Sequence, residues 1–265
     1  EAIRNLLRHR DVAWQLAQRD IAARYRATFL GLAWAVLYPL MLLSIYTLIF
    51  AVVLKARWGD NADETRGEFA LAMWCGLLIY NVFSEVMVRA PGMVSSYPAY
   101  VKKLVFPLEV FVVSGLLAAL LNFLFGFAVW LVAWLMIMHT LPPASILWLP
   151  VLLVPVCLLT SGLSWICASL GVFVRDLGYV VSLLVQMMFF LTPIFYRLDR
   201  MPYPWRYILY ANPITWAIED ARNVMMWGHA PNWIGLTAGT LVAGLIALCG
   251  YAFFMKSKRA FADVV

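Results

Sequence analysis

Two long stretches without a charged side chain dominate the sequence: residues 29–54 and residues 110–174. Each is far longer than the roughly 9 to 11 alternating residues of a membrane β-strand, so a β-barrel does not account for them. In lipid, backbone hydrogen bonds must close within the protein, and a run of this length closes them as an α-helix. The pattern therefore predicts an all-α integral membrane protein.

The apolar runs divide into six predicted spans, because a helix needs roughly 20 residues to cross the hydrocarbon. The longest run holds two spans, and Pro142-Pro143 next to His139 marks the turn between them. An even number of spans places both termini on one side of the membrane. The predicted transmembrane helices cover residues 29–54, 69–90, 108–139, 146–174, 177–195 and 232–255.

The N-terminal segment, residues 1–27, has the periodicity of an amphipathic helix. Apolar residues such as Ile3 and Ile21 recur at steps of three and four, while Arg4 and Arg8 occupy the other face. We expect this helix to lie on the inner leaflet. Two roles stay open from the pattern: an anchor that sets the topology, or a docking surface for a partner.

A short segment between the second and third spans, residues 91–107, is bounded by Pro91 and Pro107. It contains two tyrosines and two lysines. These side chains fit headgroup anchors, and they equally fit a small helix that meets a cytoplasmic partner. The pattern alone favours the anchor.

The segment before the last span, residues 196–231, is rich in tryptophan and tyrosine. Asn212 is a predicted N-cap and Pro213 a first-turn residue of a helix that continues through Trp227 and stops at Gly228. This segment fits an aromatic belt at the outer surface, or a set of gate helices over a pore.

Composition and charge agree with a membrane protein and set its orientation. Of the residues, 64% are hydrophobic and 13% charged, with a mean hydropathy of +0.83. Most of the 20 lysines and arginines lie on the side of the N-terminus, and such residues stay cytoplasmic. The net charge of +6 therefore belongs to the inner face, where anionic lipid or a protein partner is a better match than nucleic acid.

The residue types that carry catalysis are scattered. No lysine follows a glycine, so the phosphate-binding loop of ATPases is absent and any ATP hydrolysis belongs to another subunit. His9, His139 and His229 are far apart, and the 4 cysteines lie in apolar spans without a metal-binding spacing. We therefore expect no catalytic site, no metal and no cofactor in this chain.

The first span carries a stripe of aromatic residues at steps of four and eight. Such rings fit packing or belt positions, and they also fit a path for sugars, whose C–H groups suit aromatic faces. The four residues are Trp34, Tyr38, Tyr46 and Phe50.

Two further features concern the interior of the spans. A charged side chain at a helix centre costs about 2.5 to 3.5 kcal/mol without a partner, so Glu85 requires one. Arg89 follows one turn later, and we expect an internal pair between the two. Gly235 and Gly239 predict a close-packing face in the last span, within one chain or between two.

Short motifs follow one another in a fixed order along nearly the whole chain. The N-terminal group is Arg19-Asp20-Ile21, Arg24-Tyr25, Leu30-Gly31, Trp34 and Pro39-Leu40. The later group is Lys102-Lys103-Leu104-Val105-Phe106-Pro107, Arg175-Asp176, Thr192-Pro193, Asn212-Pro213 and Phe261-Ala262-Asp263. This order resembles the polysaccharide ABC-exporter permeases, the family of the O-antigen, capsule and teichoic-acid permeases.

The resemblance implies a fold of the ABC-2 exporter type and a function. It implies a homodimer of six-span subunits in the bacterial inner membrane, with both termini cytoplasmic. Two copies of a nucleotide-binding ATPase subunit would dock below and hold the Mg-ATP. The substrate would be an undecaprenyl-pyrophosphate-linked polysaccharide of the O-antigen type, moved from cytoplasm to periplasm.

The resemblance also assigns roles to residues. Arg24 and Arg26, beside Gly31, become candidates for the lipid pyrophosphate, since two guanidinium groups suit a double anion. The residues that would couple to the ATPase are Arg19, Asp20, Tyr97, Tyr100, Lys102, Lys103, Arg175 and Asp176. The residues that would belong to the outer gate are Trp205, Asn212, Pro213, Trp216 and Trp227.

Two other functions compete with ATP-driven export. A flippase or secondary transporter that works without ATP would need an ion site at the midplane and internal repeats, and the sequence shows neither. A membrane glycosyltransferase would need a loop with catalytic carboxylates, for which Glu219-Asp220 is the candidate.

Overall fold

A computed structural model describes residues 8–26, 29–53, 55, 58, 65–101 and 106–263. Within these ranges the regular structure is helical, which confirms the all-α prediction. Residues 1–7 and 27 of the predicted N-terminal helix lie outside the described residues. The same holds for Lys102, Lys103 and the side chain of Arg26.

The helices are numbered here in chain order. They are α1 (Arg10–Arg26), α2 (Trp34–Thr47), α3 (Arg66–Arg89), α4 (Pro98–Val101), α5 (Val110–Met138), α6 (Leu149–Phe173), α7 (Leu177–Phe190), α8 (Trp205–Tyr210), α9 (Pro213–Met226) and α10 (Trp233–Ser257). A π-helical segment, Leu48–Val53, continues α2. Short 3₁₀ turns cover Gly31–Ala33, Ala90–Gly92, Ala144–Trp148, Leu198–Arg200 and Lys258–Asp263.

Five of the described helices are long and apolar enough to cross a membrane, and they contain α2, α3, α5, α6 and α10. The fifth predicted span, residues 177–195, corresponds to α7, which has only 14 residues. At 1.5 Å per residue α7 is about 21 Å long, against a hydrocarbon core of about 30 Å. It stops at Phe190 shortly before Pro193, which has no N–H to continue a helix. The sixth crossing stays a prediction.

Helix α3 lies at the centre of the bundle, and most of its side chains are buried. It packs against α5, α6, α7 and α9. The Trp130 indole of α5 donates to the Leu71 carbonyl at 3.2 Å, and the Tyr80 hydroxyl donates to the Val185 carbonyl of α7. These bonds satisfy polar groups for which hydrocarbon offers no partner. Helix α3 is therefore the central helix against which α5, α6, α7 and α9 pack.

Helices α6 and α10 approach each other through glycine. A Cβ atom on Gly250 would lie 2.1 Å from the carbonyl oxygen of Gly162, so only glycine fits there. At Gly239, on the predicted close-packing face, no described atom lies within 4 Å of the place a Cβ would take. Within the described residues α10 therefore packs through Gly250 and leaves the Gly239 position open.

An inner apolar cluster joins both ends of the chain to the segment between α3 and α5. Leu16 of α1, Val101 of α4 and Phe261 after α10 are all buried in it. Beside it, the Lys258 ammonium donates to the buried Glu109 carboxylate at 2.8 Å. We call this end of the bundle, where α1 and the segment after α10 pack, the inner end.

Candidate functional site

Helix α1 meets the segment between α3 and α5 through Arg19. Its guanidinium lies 5.7 Å from the centre of the Tyr97 ring, and a hydrogen bond with Tyr100 raises the pKa of Arg19. The Tyr97 ring stacks on Phe111 of α5, with the ring centres 4.9 Å apart. Three residues that the resemblance assigns to ATPase coupling thus form one cluster at the inner end, the Arg19 cluster.

Other coupling candidates also lie at this end of the helices. The Asp20 carboxylate pairs with Arg89 at 3.7 Å. Arg175 and Asp176 are exposed in the short turn between α6 and α7. Their charges are therefore available at the surface, whereas Asp20 holds α1 against the end of α3.

Glu85 and Arg89 do not pair with each other. Glu85 accepts from the Arg24 guanidinium at 2.5 Å, and Arg89 pairs with Asp20. The helices α1 and α3 therefore run antiparallel, with two pairs one turn apart and the charges reversed from one pair to the next. The prediction of an internal Glu85–Arg89 pair is wrong because α1, which packs against α5, reaches the end of α3 with its side chains and brings an opposite charge to each residue.

A neutral amide completes the surroundings of Glu85. Asn122 on α5 donates through Nδ2 to both carboxylate oxygens, at 3.0 and 2.9 Å. The carboxylate thus has a cation on one side and an amide on the other, as a charge within a membrane helix requires. Since Arg24 is tied to this carboxylate, its position relative to α3 is set by Glu85 and Asn122.

A cavity of about 310 Å³ opens between α2, α3 and α5, with Arg24 of α1 at its wall. This volume is at the lower end of the roughly 300 to 1,000 Å³ typical of small-molecule sites. The wall formed by α2 is aromatic and includes Trp34, Tyr38 and Tyr46, three of the four predicted substrate-path residues. The wall formed by α3 and α5 is mainly apolar, and it carries four polar side chains: Asn81, Ser84, Glu85 and Asn122.

Two residues that the sequence analysis assigned to substrate contact, Phe50 and Gly31, do not line the cavity. Phe50, in the π-helical end of α2, stacks on Phe195 with ring centres 4.4 Å apart, so it packs rather than lining the cavity. Gly31 lies in the turn between α1 and α2 with a φ of 53°, a conformation that glycine adopts without strain. This turn lets α1 lie against α5 while α2 continues as a span.

Residues 196–231 contain the predicted capped helix α9. The Asn212 side chain accepts a hydrogen bond from the backbone N–H of Ile214 at 3.0 Å, and Pro213 occupies the first turn. The Asn212 amide also donates to the Thr192 hydroxyl at 3.2 Å. Helix α9 ends at Met226, one residue before the predicted end. The cap therefore joins α9 to the turn that follows α7.

The aromatic residues predicted for a gate lie mainly at the surface of the bundle. Trp205 begins the short helix α8 and is exposed, and Trp227 is exposed after the end of α9. Trp216 is also exposed and donates its indole N–H to the Tyr210 carbonyl at 2.8 Å. This placement fits an aromatic belt and a gate equally well.

Arg222 is absent from the sequence candidates, and it is fully buried in the structure. Its guanidinium donates to the carbonyls of Ala72 at 3.2 Å and Pro193 at 2.7 Å, and it pairs with Glu219 at 2.8 Å. The Trp58 ring covers it at 3.7 Å. Burial lowers the pKa of Arg222, and Glu219 opposes that shift. The sequence signal that could have revealed this burial is the position of Arg222, four residues after Ile218 on the apolar face of α9.

The two carboxylates considered for a glycosyltransferase are not arranged as a catalytic pair. Glu219 is neutralised by Arg222 at 2.8 Å. Asp220 is buried, accepts from the backbone N–H of Asn232 at 3.3 Å, and has its pKa raised by burial. Each carboxylate has a structural partner, and this geometry does not support sugar transfer at Glu219-Asp220.

The helices and the cavity define a helical membrane protein whose inner end is linked directly to a cavity between its spans. Residues 12–226 match the ABC-2 type transporter family, and the chain belongs to this family. The family is one of multi-pass membrane proteins, in agreement with the apolar helices.

The chain is also similar over nearly its whole length to named permeases. It is 27% identical to an O-antigen export system permease protein RfbA of Klebsiella pneumoniae over 256 residues, which are 96% of this chain and 95% of that protein. A permease of the same name from Myxococcus xanthus is 26% identical over 265 residues, 99% and 98% of the two chains. The polysialic acid transport protein KpsM of Escherichia coli is 22% identical over 244 residues, 91% and 92%. These matches confirm the resemblance to polysaccharide-exporter permeases.

Proposed function

We propose that this chain is the permease subunit of an ATP-driven polysaccharide exporter. Its cargo is an O-antigen-type glycan linked to undecaprenyl pyrophosphate, and the direction is from cytoplasm to periplasm across the bacterial inner membrane. The relatives named for O-antigen export and for polysialic acid transport support this class of cargo.

One observation carries the proposal: a single helix reaches both the inner end and the cavity. Arg19 and Asp20 of α1 contact the segment between α3 and α5 and the end of α3, respectively. Arg24, about one turn further along α1, lies at the cavity wall. A push on the inner end therefore displaces a side chain of the cavity without an intervening flexible loop.

In the working complex two copies of the chain form a homodimer, each with six spans and cytoplasmic termini. Two ATPase subunits, which hold the Mg-ATP, dock at the inner ends. Closure of the ATPases pushes α1 and residues 91–107, and this motion rocks α2 and α7 apart at the dimer axis. The small number of buried side chains on α2 and α7 supports this arrangement.

The lipid pyrophosphate binds at Arg24 and Arg26, and the glycan passes over the aromatic wall. The Arg24 side chain is 33% exposed at the cavity, and a guanidinium suits phosphate oxygens. Trp34, Tyr38 and Tyr46 offer ring faces to the C–H groups of successive sugars.

Reversing the charge of Arg19 tests the coupling. In vesicles that contain the chain and its ATPase, Arg19→Glu loses the contact with Tyr97 and the hydrogen bond with Tyr100. We expect ATP-dependent glycan export to fall about tenfold or more. The matched control is Arg10→Glu on the same helix, where Arg10 is 77% exposed and pairs with its neighbour Asp11.

The control variant should export like the wild type. Unimpaired export by Arg19→Glu would rule out coupling through this cluster. Export by the purified chain without any ATPase would favour the competing function, an ATP-independent flippase or secondary transporter.

A further inference from the structure

The cavity wall formed by α3 contains an exposed amide deep within a membrane span. Asn81 lies eight residues before the inner end of α3 at Arg89, which is about 12 Å along the helix. It is exposed and lines the cavity. Among the residues that the structure describes, its amide makes no hydrogen bond. An amide at this depth requires a polar partner, which hydrocarbon does not supply.

Two further polar side chains share this face of α3. Ser84 and Glu85 follow Asn81 by three and four residues, so all three lie on one side of the helix. The Ser84 hydroxyl donates to the backbone carbonyl of Asn81 at 3.4 Å, a long bond that a better acceptor can replace. The Glu85 carboxylate is held by Asn122 and Arg24, so its place in the wall is preset.

The opposite wall of the cavity, formed by α2, presents aromatic rings. Trp34 and Tyr38 of α2 lie one turn apart, and both rings line the cavity. They are exposed to 38% and 60%. A sugar ring has apolar C–H faces and hydroxyl groups at its rim, so it can place a face on these rings and its hydroxyls against α3. A lipid chain would cover the rings equally well, but it would leave the Asn81 amide without a partner and the Ser84 hydroxyl with only its long bond to the Asn81 backbone.

We propose that Asn81 and Ser84, together with Trp34 and Tyr38, form a binding subsite for the sugar attached directly to the lipid diphosphate. The inference rests on the proposed function, because it takes Arg24 as the group that holds the diphosphate. Glu85, which pairs with Arg24, lies one turn from Asn81 on the same wall, so the subsite follows the diphosphate along α3. It gives the carrier a means to distinguish loaded lipid from empty lipid.

The test uses the full chain with its ATPase in nanodiscs and two probes. One is undecaprenyl diphosphate, and the other is the same lipid carrying a single N-acetylhexosamine. In the wild type the sugar should lower the probe concentration for half-maximal ATPase stimulation about tenfold, the equivalent of two added hydrogen bonds. In Asn81→Leu and in Ser84→Ala this advantage should shrink, and in the double variant it should disappear. The response to the sugar-free lipid should remain unchanged.

Ser44→Ala is the matched control. The Ser44 hydroxyl also donates to a backbone carbonyl of its own helix, that of Leu40 at 2.8 Å, but it does not line the cavity. This variant should keep the full advantage of the sugar.

Each other outcome is decisive. A sugar advantage that survives in the double variant, or a wild type that responds alike to both probes, overturns the subsite and leaves the exporter function standing. A stronger response of Asn81→Leu to the sugar-free lipid assigns the wall to a lipid chain and also overturns it. A wild type that responds to neither probe overturns the exporter function, and the subsite with it.

Discussion

Arg222 is a buried cation that four groups hold in place. Two carbonyl oxygens, the Glu219 carboxylate and the face of Trp58 surround its guanidinium. A guanidinium is planar and has five N–H donors, so it can serve all these partners at once, whereas a lysine ammonium cannot match this geometry. Because the partners come from α3, α9, the turn after α7 and the segment before α3, Arg222 joins four parts of the chain.

Replacing Arg222 by lysine should destabilise the protein nearly as much as replacing it by methionine. Methionine removes every donor from Ala72, Pro193 and Glu219, and the single ammonium of lysine cannot reach these three acceptors together. Breaking a buried pair of this kind costs on the order of 3 to 5 kcal/mol. Thermal unfolding in detergent, followed by tryptophan fluorescence, measures the loss. Arg206→Lys is the control, because Arg206 is exposed on the neighbouring α8. An Arg222→Lys variant that melts with the wild type would contradict this assignment.

Helices α1 and α3 are joined by two ion pairs of opposite polarity. Asp20 pairs with Arg89, and Arg24 pairs with Glu85 about one turn away on each helix. The reversed charges specify both the antiparallel direction and the register, since a shift of one turn would place like charges together. The second pair differs from the first because Arg24 also lines the cavity.

Swapping the charges across each pair separates the structural role from substrate binding. The single changes Asp20→Arg and Glu85→Arg place like charges together and should lower both Tm and ATP-dependent export. The double change Asp20→Arg/Arg89→Asp should restore both quantities. The double change Arg24→Glu/Glu85→Arg should restore Tm but not export, because the cation for the pyrophosphate has moved from α1 to α3. Thermal unfolding and vesicle export assays supply the two measurements.

The two swaps act as controls for each other. Equal recovery of export by both would mean that Arg24 is only an ion-pair partner, which contradicts its role in pyrophosphate binding. Failure of both swaps to restore Tm would mean that the pairs do not hold α1 on α3.

The helices differ in the side chains that they expose on the surface of the bundle. Helix α10 exposes aliphatic side chains such as Leu241 and Leu245, which lipid accommodates. Helix α2 buries none of its residues, and it exposes Trp34 and Tyr38 along with its aliphatic side chains. Polar side chains on the surface of a span favour a protein partner or a wet passage over lipid. The α2 surface is therefore where we expect the second copy of the chain.

Crosslinking tests this expectation. In a background without the native cysteines, Met41→Cys on α2 and Leu241→Cys on α10 introduce thiols at exposed positions, 57% and 72% in the single chain. A short bismaleimide added to membranes should give a crosslinked dimer with the α2 thiol and mostly monomer with the α10 thiol. Dimer formation through Leu241→Cys alone would place the interface on α10 and refute the proposed dimer axis.

The sequence by itself determined the class of the protein and much of its local structure, because both rest on patterns between neighbours in the chain. Long uncharged runs require helices in lipid, whatever the tertiary arrangement. Asn212 and Pro213 specify the start of α9 through a cap that closes within two residues. The ordered motifs pointed to the exporter-permease family, which the comparisons confirm.

Only the tertiary structure decided which polar groups meet. Glu85 had an arginine one turn away in sequence, yet its partner is Arg24, 61 residues distant, because α1 packs against α5 and reaches the end of α3 with its side chains. Packing between helices likewise buries Arg222 and places Asn81 opposite the aromatic residues of α2. A spacing along one helix defines which residues share a face, but which face meets which depends on packing between helices that no local pattern encodes.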